Sequence, residues 1–85
     1  MVYEVLVALW HGPGNDLDVA RSIHDRTGET FSSEAAGRYL RMLQANGYVD
    51  DDRHPLWPRY SINEHGSALL AMLTREVAAN EVITA

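Results

Sequence analysis

The sequence predicts one small domain that is mainly α-helical and carries a single β-hairpin, an α+β arrangement. The chain has 85 residues, which is the size of one domain. Apolar residues recur at helical spacing in four stretches, and glycine-containing breaks separate the first three. Before the last stretch, short runs of alternating residues flank a proline-rich turn, which is typical of a hairpin.

The first helix is predicted over residues 1–11. Val5 to Trp10 is a continuous apolar run, and a helix that is apolar on all sides needs cover from several directions. The Gly12-Pro13-Gly14 sequence ends it.

The second helix is predicted over residues 15–27. Asn15 or Asp16 provides its N-cap, and Gly28 follows its last turn. We expect its buried stripe to be Leu17, Ala20 and Ile23, with Val19 at one edge.

The third helix is predicted over residues 32–46, from an N-cap at Ser32 or Ser33 to the Asn46-Gly47 pair. Helical geometry turns one set of side chains inward: Ala36, Leu40 and Leu43. It turns another set outward: Glu34, Ala35, Arg38, Arg41 and Met42.

The hairpin is predicted over residues 48–62, with its tip at 54–58 because Pro55 and Pro58 exclude regular pairing there. The acidic run Asp50–Asp52 is interpreted as a solvated edge, because successive strand residues point to opposite faces and cannot converge on a metal ion. The last helix is predicted over residues 63–80, from an Asn63 cap, and the tail after it is expected to fray.

Three helices, a hairpin and a further helix are the element order of the winged helix-turn-helix. Three phrases of the sequence resemble regulators of the PadR family, with the MarR family next nearest. They are the opening Leu6–Pro13, the stretch Leu40–Val49 that ends the third helix, and Tyr60–Leu70 after the wing. The resemblance covers about residues 3–73 and implies a DNA-binding transcriptional repressor, in which helix 32–45 enters the major groove and the wing lies on the backbone.

Two positions depart from the pattern of that family. Gly37 stands where PadR-like recognition helices carry Tyr, and a glycine inside a helix costs about 1 kcal/mol, so we expect a close neighbour there. Asp50–Asp52 occupy a wing strand that is usually basic, and they repel phosphates.

The predicted DNA contacts lie at the start and outer face of the third helix and on the wing. They are Ser32, Ser33, Glu34, Arg38, Arg41, Arg53, His54 and Arg59. Two alternatives stay open: Arg38 pairs with Glu34 one turn earlier, and Arg53 and Arg59 neutralise the aspartates across the hairpin. Trp57 either marks a protein interface at the wing tip or folds back onto Tyr48 or Tyr60.

The charge favours a second function class. The net charge is −5, with seven basic residues, all arginine, and twelve acids, whereas nucleic-acid binders are usually basic. The alternative is therefore a winged-helix protein-interaction module that does not bind DNA. The arginine-only basic set also suggests a GC-rich prokaryotic or phage source.

Other classes have no support in the sequence. There is no cysteine, the four histidines lack ligand spacing, and no nucleophile elbow or phosphate loop occurs, so we expect no enzyme, metal or cofactor. The longest apolar run is too short to span a membrane and no basic residue precedes it, so a cytoplasmic protein without a membrane partner is expected.

A homodimer through the terminal helices is also predicted. A winged-helix core needs only one face of each of these helices, and both carry more apolar residues than that. The predicted interface residues are Val2, Leu6, Leu69, Leu73 and Val77.

Overall fold

The computed structural model describes the backbone of residues 1–84 and the side chains of residues 1–78. The elements in this part of the chain are α1 (Val2–His11), α2 (Asp16–Thr27), α3 (Ser33–Ala45), β1 (Val49–Asp51), β2 (Tyr60–Ile62) and α4 (Glu64–Thr84). The strands form an antiparallel pair. The predicted fold class is therefore confirmed.

Side-chain caps fix where α2 and α3 begin. Asn15 accepts a hydrogen bond from the Asp18 amide at 2.9 Å, and Asp18 accepts one from the Asn15 amide at 3.1 Å, which is a reciprocal capping box. Ser32 accepts from the Ala35 amide at 3.1 Å. After α3, Gly47 adopts φ 80°, a left-handed conformation that lets the chain turn directly into β1.

The core forms around α1, which contacts α2, α3, β2 and α4. This central position explains why α1 is apolar on several sides. The buried hydrophobic residues of the whole domain are Val5, Leu6, Ala8, Leu9, Val19, Ala20, Ile23, Ala36, Leu40, Leu43, Val49, Tyr60 and Leu70.

The buried stripe of α2 differs from the predicted one at Leu17. Leu17 is 45% exposed, whereas Val19, Ala20 and Ile23 are buried. The stripe is centred on Ile23, and Leu17 lies about 120° around the helix from it at 100° per residue. Leu17 therefore lies at the rim of the core, and Val19 belongs to its centre.

The start of α4 approaches the hairpin closely. The Gly66 amide donates to the Asn63 side chain at 2.9 Å, which caps the helix as expected. A Cβ at Gly66 would overlap the carbonyl oxygen of Tyr48 and lie 2.7 Å from the Ile62 side chain. Only glycine therefore fits at this joint.

The end of α4 also differs from the prediction. The helix continues to Thr84 instead of stopping near residue 80, because no glycine or proline follows Gly66. Side chains beyond residue 78 and the whole of Ala85, where fraying was expected, lie outside the described residues. No helix in the described part of the chain has the length and hydropathy needed to cross a membrane.

Candidate nucleic-acid interface

The outer face of α3 is exposed because its inner face is anchored in the core. Leu40 is 0% exposed and Leu43 is 2% exposed. Arg38 and Arg41 project from the other side and are exposed. The only ion pair among the described residues joins α1 and α2, so the alternative pairing of Arg38 with Glu34 is absent from this part of the chain. The guanidinium of Arg38 is thus available to an external ligand.

The two serines at the N-terminus of α3 have different surroundings. The Ser32 hydroxyl is exposed but already caps the helix, and Ser33 is half-buried. Glu34 is exposed in the first turn.

The wing loop is held by two side chains that accept backbone hydrogen bonds. One carboxylate oxygen of Asp52 accepts from the amides of Arg59 at 3.0 Å and His54 at 3.1 Å. These bonds, with the Arg59 amide contributing most, lower the pKa of Asp52 below its ordinary value. His54 Nδ1 accepts from the Trp57 amide at 3.1 Å. Asp52, the last aspartate of the acidic run before the wing tip, therefore holds the loop in its conformation.

The two wing arginines differ in their surroundings. The Arg59 guanidinium donates to the carbonyl oxygen of Pro13 at 3.1 Å, which ties the wing to the loop before α2. Gly14 and Tyr60 also form an isolated antiparallel bridge there. Arg53 is exposed, at φ 57°. Neither arginine pairs with an aspartate in the described part of the chain, so the charge-neutralisation alternative is absent there.

The wing tip is exposed and apolar. Leu56 is 72% exposed and Trp57 is 64% exposed. Trp57 lines a cavity of about 150 Å³ together with Tyr60, but it is not buried against it. Trp57 is therefore not buried by a fold-back onto Tyr48 or Tyr60, and most of the indole lies in solvent.

The structure divides the predicted dimer residues into two groups. Leu6 is 0% exposed and belongs to the core, so its assignment to an interface is wrong. Val2, Leu69 and Leu73 are half-buried, and Val77 is 36% exposed.

Exposed apolar side chains also lie on α1 and α4. Trp10 is 62% exposed and Met72 is 51% exposed. Trp10 lines a groove of about 390 Å³ with Val7, Leu70, Ala71 and the polar Ser67 and Thr74. No cluster of three potential metal ligands occurs among the described residues.

Comparisons with known proteins identify the fold. No family model and no curated protein matches the chain. Its structure is similar to a transcriptional regulator from Clostridium thermocellum, with a TM-score of 0.85, 15% identity and coverage of 98% of this chain and 84% of that one. It is also similar to the Thermoplasma acidophilum protein TA0346, with a TM-score of 0.81, 16% identity and the same coverage.

A third similar structure is a winged-helix DNA-binding protein from STIV. Its TM-score is 0.76 at 14% identity, over 88% of this chain and 84% of that one. At these identities the similarity establishes the winged-helix fold of the chain, with the hairpin as its wing.

Proposed function

We propose that the chain is a sequence-specific double-stranded DNA-binding transcriptional regulator that acts as a repressor. In this proposal α3 enters the major groove, and the wing loop at residues 53–59 lies on the adjacent backbone. The observation that carries it is the outer face of α3, where Arg38 and Arg41 are exposed while Leu40 and Leu43 fix the helix to the core. The names of two similar structures, a transcriptional regulator and a DNA-binding protein, support it.

The roles of the contact residues follow from their surroundings. An exposed arginine on a helix in the major groove binds guanine edges or phosphates. Arg53 and His54 lie at the wing tip and would contact phosphates, with Ser33 and Glu34 at the edge of the helix contact. Arg59 orients the wing through Pro13 and does not contact DNA in this scheme.

Duplex binding tests the proposal directly. Fluorescence anisotropy with a mixed-sequence duplex at low salt detects non-specific affinity, which is mainly electrostatic, and a selected binding site measures specific affinity. Each of R38A and R41A is expected to weaken binding by about 1–3 kcal/mol if it contacts a base or phosphate. The matched control is R75A, which removes an exposed arginine from α4. An unchanged dissociation constant in the folded R38A/R41A variant would refute the role of this face.

We also propose that the functional form is a homodimer whose interface lies on α1 and α4. Trp10 and Met72 are exposed and Leu69 and Leu73 are half-buried, and a second copy that packs on these helices would remove such apolar side chains from water. A two-fold axis there would present two α3 helices to half-sites about one DNA turn apart.

Light scattering tests the dimer. The wild-type protein is expected to have twice the monomer mass at tens of micromolar, and L73E is expected to be monomeric with a retained helical spectrum. A variant that remains dimeric would place the interface elsewhere.

One observation favours a second candidate function, a protein-interaction module. The wing tip exposes Leu56 and Trp57 beside an acidic strand, which suits an apolar contact with another protein better than a phosphate contact. Absence of duplex binding at low salt, with an intact fold, would favour this candidate.

A further inference from the structure

The backbone of the wing tip is held by two side chains. Residues 54–59 have four backbone N–H groups, because two of these residues are proline. Asp52 accepts hydrogen bonds from two of the four. The His54 ring accepts the other two, with Nδ1 lying 3.1 Å from the amide nitrogen of Trp57 and 3.3 Å from that of Leu56. The conformation of the tip therefore depends on one carboxylate and one imidazole nitrogen.

The partners of this nitrogen fix its protonation state. A backbone amide can only donate, so Nδ1 of His54 accepts through its lone pair and carries no proton. The ring is then neutral, with its proton on Nε2. His24 is the opposite case, because its Nδ1 lies 3.1 Å from the carbonyl oxygen of Glu29, which can only accept. A charged ring is therefore compatible with the contact of His24 and incompatible with the contacts of His54.

Two charged residues of the wing bear on the state of the His54 ring. Backbone amides of Arg59 and His54 lower the pKa of the Asp52 carboxyl, and the charge of the His54 ring lowers it further. By attraction this carboxylate favours a charged ring, whereas the two tip amides require a neutral one. Arg53, the preceding residue, is exposed, and its like charge opposes protonation. The proton and the tip amides thus compete for the same nitrogen.

We propose that His54 is a positioning residue that holds the wing tip in this conformation only while its ring is neutral. When the ring gains a proton, Nδ1 becomes a donor, and its bonds to the amides of Leu56 and Trp57 are lost. These two residues carry the exposed apolar side chains of the tip. A fall from about pH 8 to about pH 5, the range in which histidines gain a proton, therefore changes how the wing is presented. The effect on DNA rests on the proposed function, whereas the effect on the tip does not.

An NMR pH series without DNA tests the tip. In the wild-type protein the amide signals of Leu56 and Trp57 are expected to titrate together with the His54 ring between about pH 8 and about pH 5. At the upper end of this range the His54 ring should carry its proton on Nε2, which the ring nitrogen signals report. Amide signals that do not follow the ring, or a neutral ring with its proton on Nδ1, would overturn the proposal.

Two variants at residue 54 separate the acceptor from the proton. H54N places a side-chain oxygen near the position of Nδ1 and does not titrate, so the amide signals of Leu56 and Trp57 are expected to stay constant over the same pH range. H54Q places its oxygen one bond farther out, near Nε2, so the tip is expected to be mobile at every pH, as measured by heteronuclear NOE. The matched control is H24N, which removes a histidine whose Nδ1 donates and should leave the titration of both amides unchanged. A wild-type pH response in H54N would overturn the proposal.

The DNA experiment compares the wild type with H54N at the same pH, so that the titration of the other histidines affects both proteins equally. On a mixed-sequence duplex the two are expected to bind equally at about pH 8, where the ring is neutral. At about pH 5.5 the wild type is expected to bind about threefold more weakly, the scale of one net hydrogen bond, although it carries the additional positive charge. Equal or tighter binding by the wild type there would overturn the effect on DNA. If neither protein binds DNA but the tip titrates, the positioning role stands and the proposed function fails.

Discussion

The helix α3 and the wing are attached to the same domain by different kinds of contact. Leu40 and Leu43 bury α3 in the core, with 2% exposure or less. The wing has a three-residue ladder, in which Val49 pairs with Ile62, and beyond it the loop is held by polar contacts. One of these polar contacts joins residues 46 positions apart in the sequence: the Arg59 guanidinium donates a hydrogen bond to the Pro13 carbonyl oxygen.

This difference shows which parts of a winged helix depend on apolar burial. Burial stabilises α3 in one orientation and leaves its outer side chains free to vary. The wing loop instead depends on individual acceptors such as Asp52 and His54, each of which holds backbone amides. Single substitutions in the core are therefore expected to lower the stability of the whole domain. Single substitutions in the wing loop are expected to change only the conformation of the loop.

The largest effect is expected where the two regions join, at Gly66. G66A would force a methyl group into the Tyr48 carbonyl oxygen and the Ile62 side chain, which requires a backbone shift. We expect a loss of more than about 3 kcal/mol in the free energy of unfolding, measured by urea denaturation. The control is G12A, where nothing lies within 4 Å of the added methyl group, and a change within about 0.5 kcal/mol is expected. Equal stability of the two variants would show that α4 does not rely on this close approach.

A second comparison distinguishes the base of the wing from its tip. Tyr60 is 6% exposed at the base, and Trp57 is 64% exposed at the tip. Removal of a buried aromatic side chain costs about 3–5 kcal/mol, so Y60A is expected to lower stability strongly, whereas W57A should leave the melting temperature nearly unchanged. Thermal unfolding followed by circular dichroism measures both. A large loss in W57A would mean that the indole is part of the core, and the protein-interaction candidate would lose its main support.

Much of the fold could be predicted from the sequence because apolar spacing and caps act locally. Asn15 and Ser32 cap helices that begin where expected, and the inward face of α3 agrees with the structure. Leu17 was misassigned because the orientation of α2 is set by its neighbours in space, and short stretches of sequence do not determine it. The bridge between Gly14 and Tyr60 involves one residue on each side, which is too short to produce an alternating pattern.

The candidate site could be predicted only in its exposed part. Helical geometry alone places Arg38 and Arg41 on the outer face of α3. The close approach of Asp16 to Gly37 joins residues 21 positions apart, and no local pattern indicates it. Gly37 was the available signal, because a glycine inside a helix indicates a close neighbour, but it does not identify which one.

The smallest expected effect concerns the charge of Asp52 in the wing loop. Backbone amides of Arg59 and then His54 hold the pKa of this carboxyl below its ordinary value of 3.8. Because the folded state lowers the pKa, the stabilisation is fully present above that ordinary value and is lost as pH falls through the lower folded value. The amide signals of Arg59 and His54 are therefore expected to titrate together below pH 3.8 in an NMR pH series. In D52N the side chain can still accept hydrogen bonds but does not titrate, so this step should disappear from both signals. A midpoint at or above 3.8 in the wild-type protein would show that Asp52 does not hold the loop, and the wing would then depend on its ladder and on Arg59.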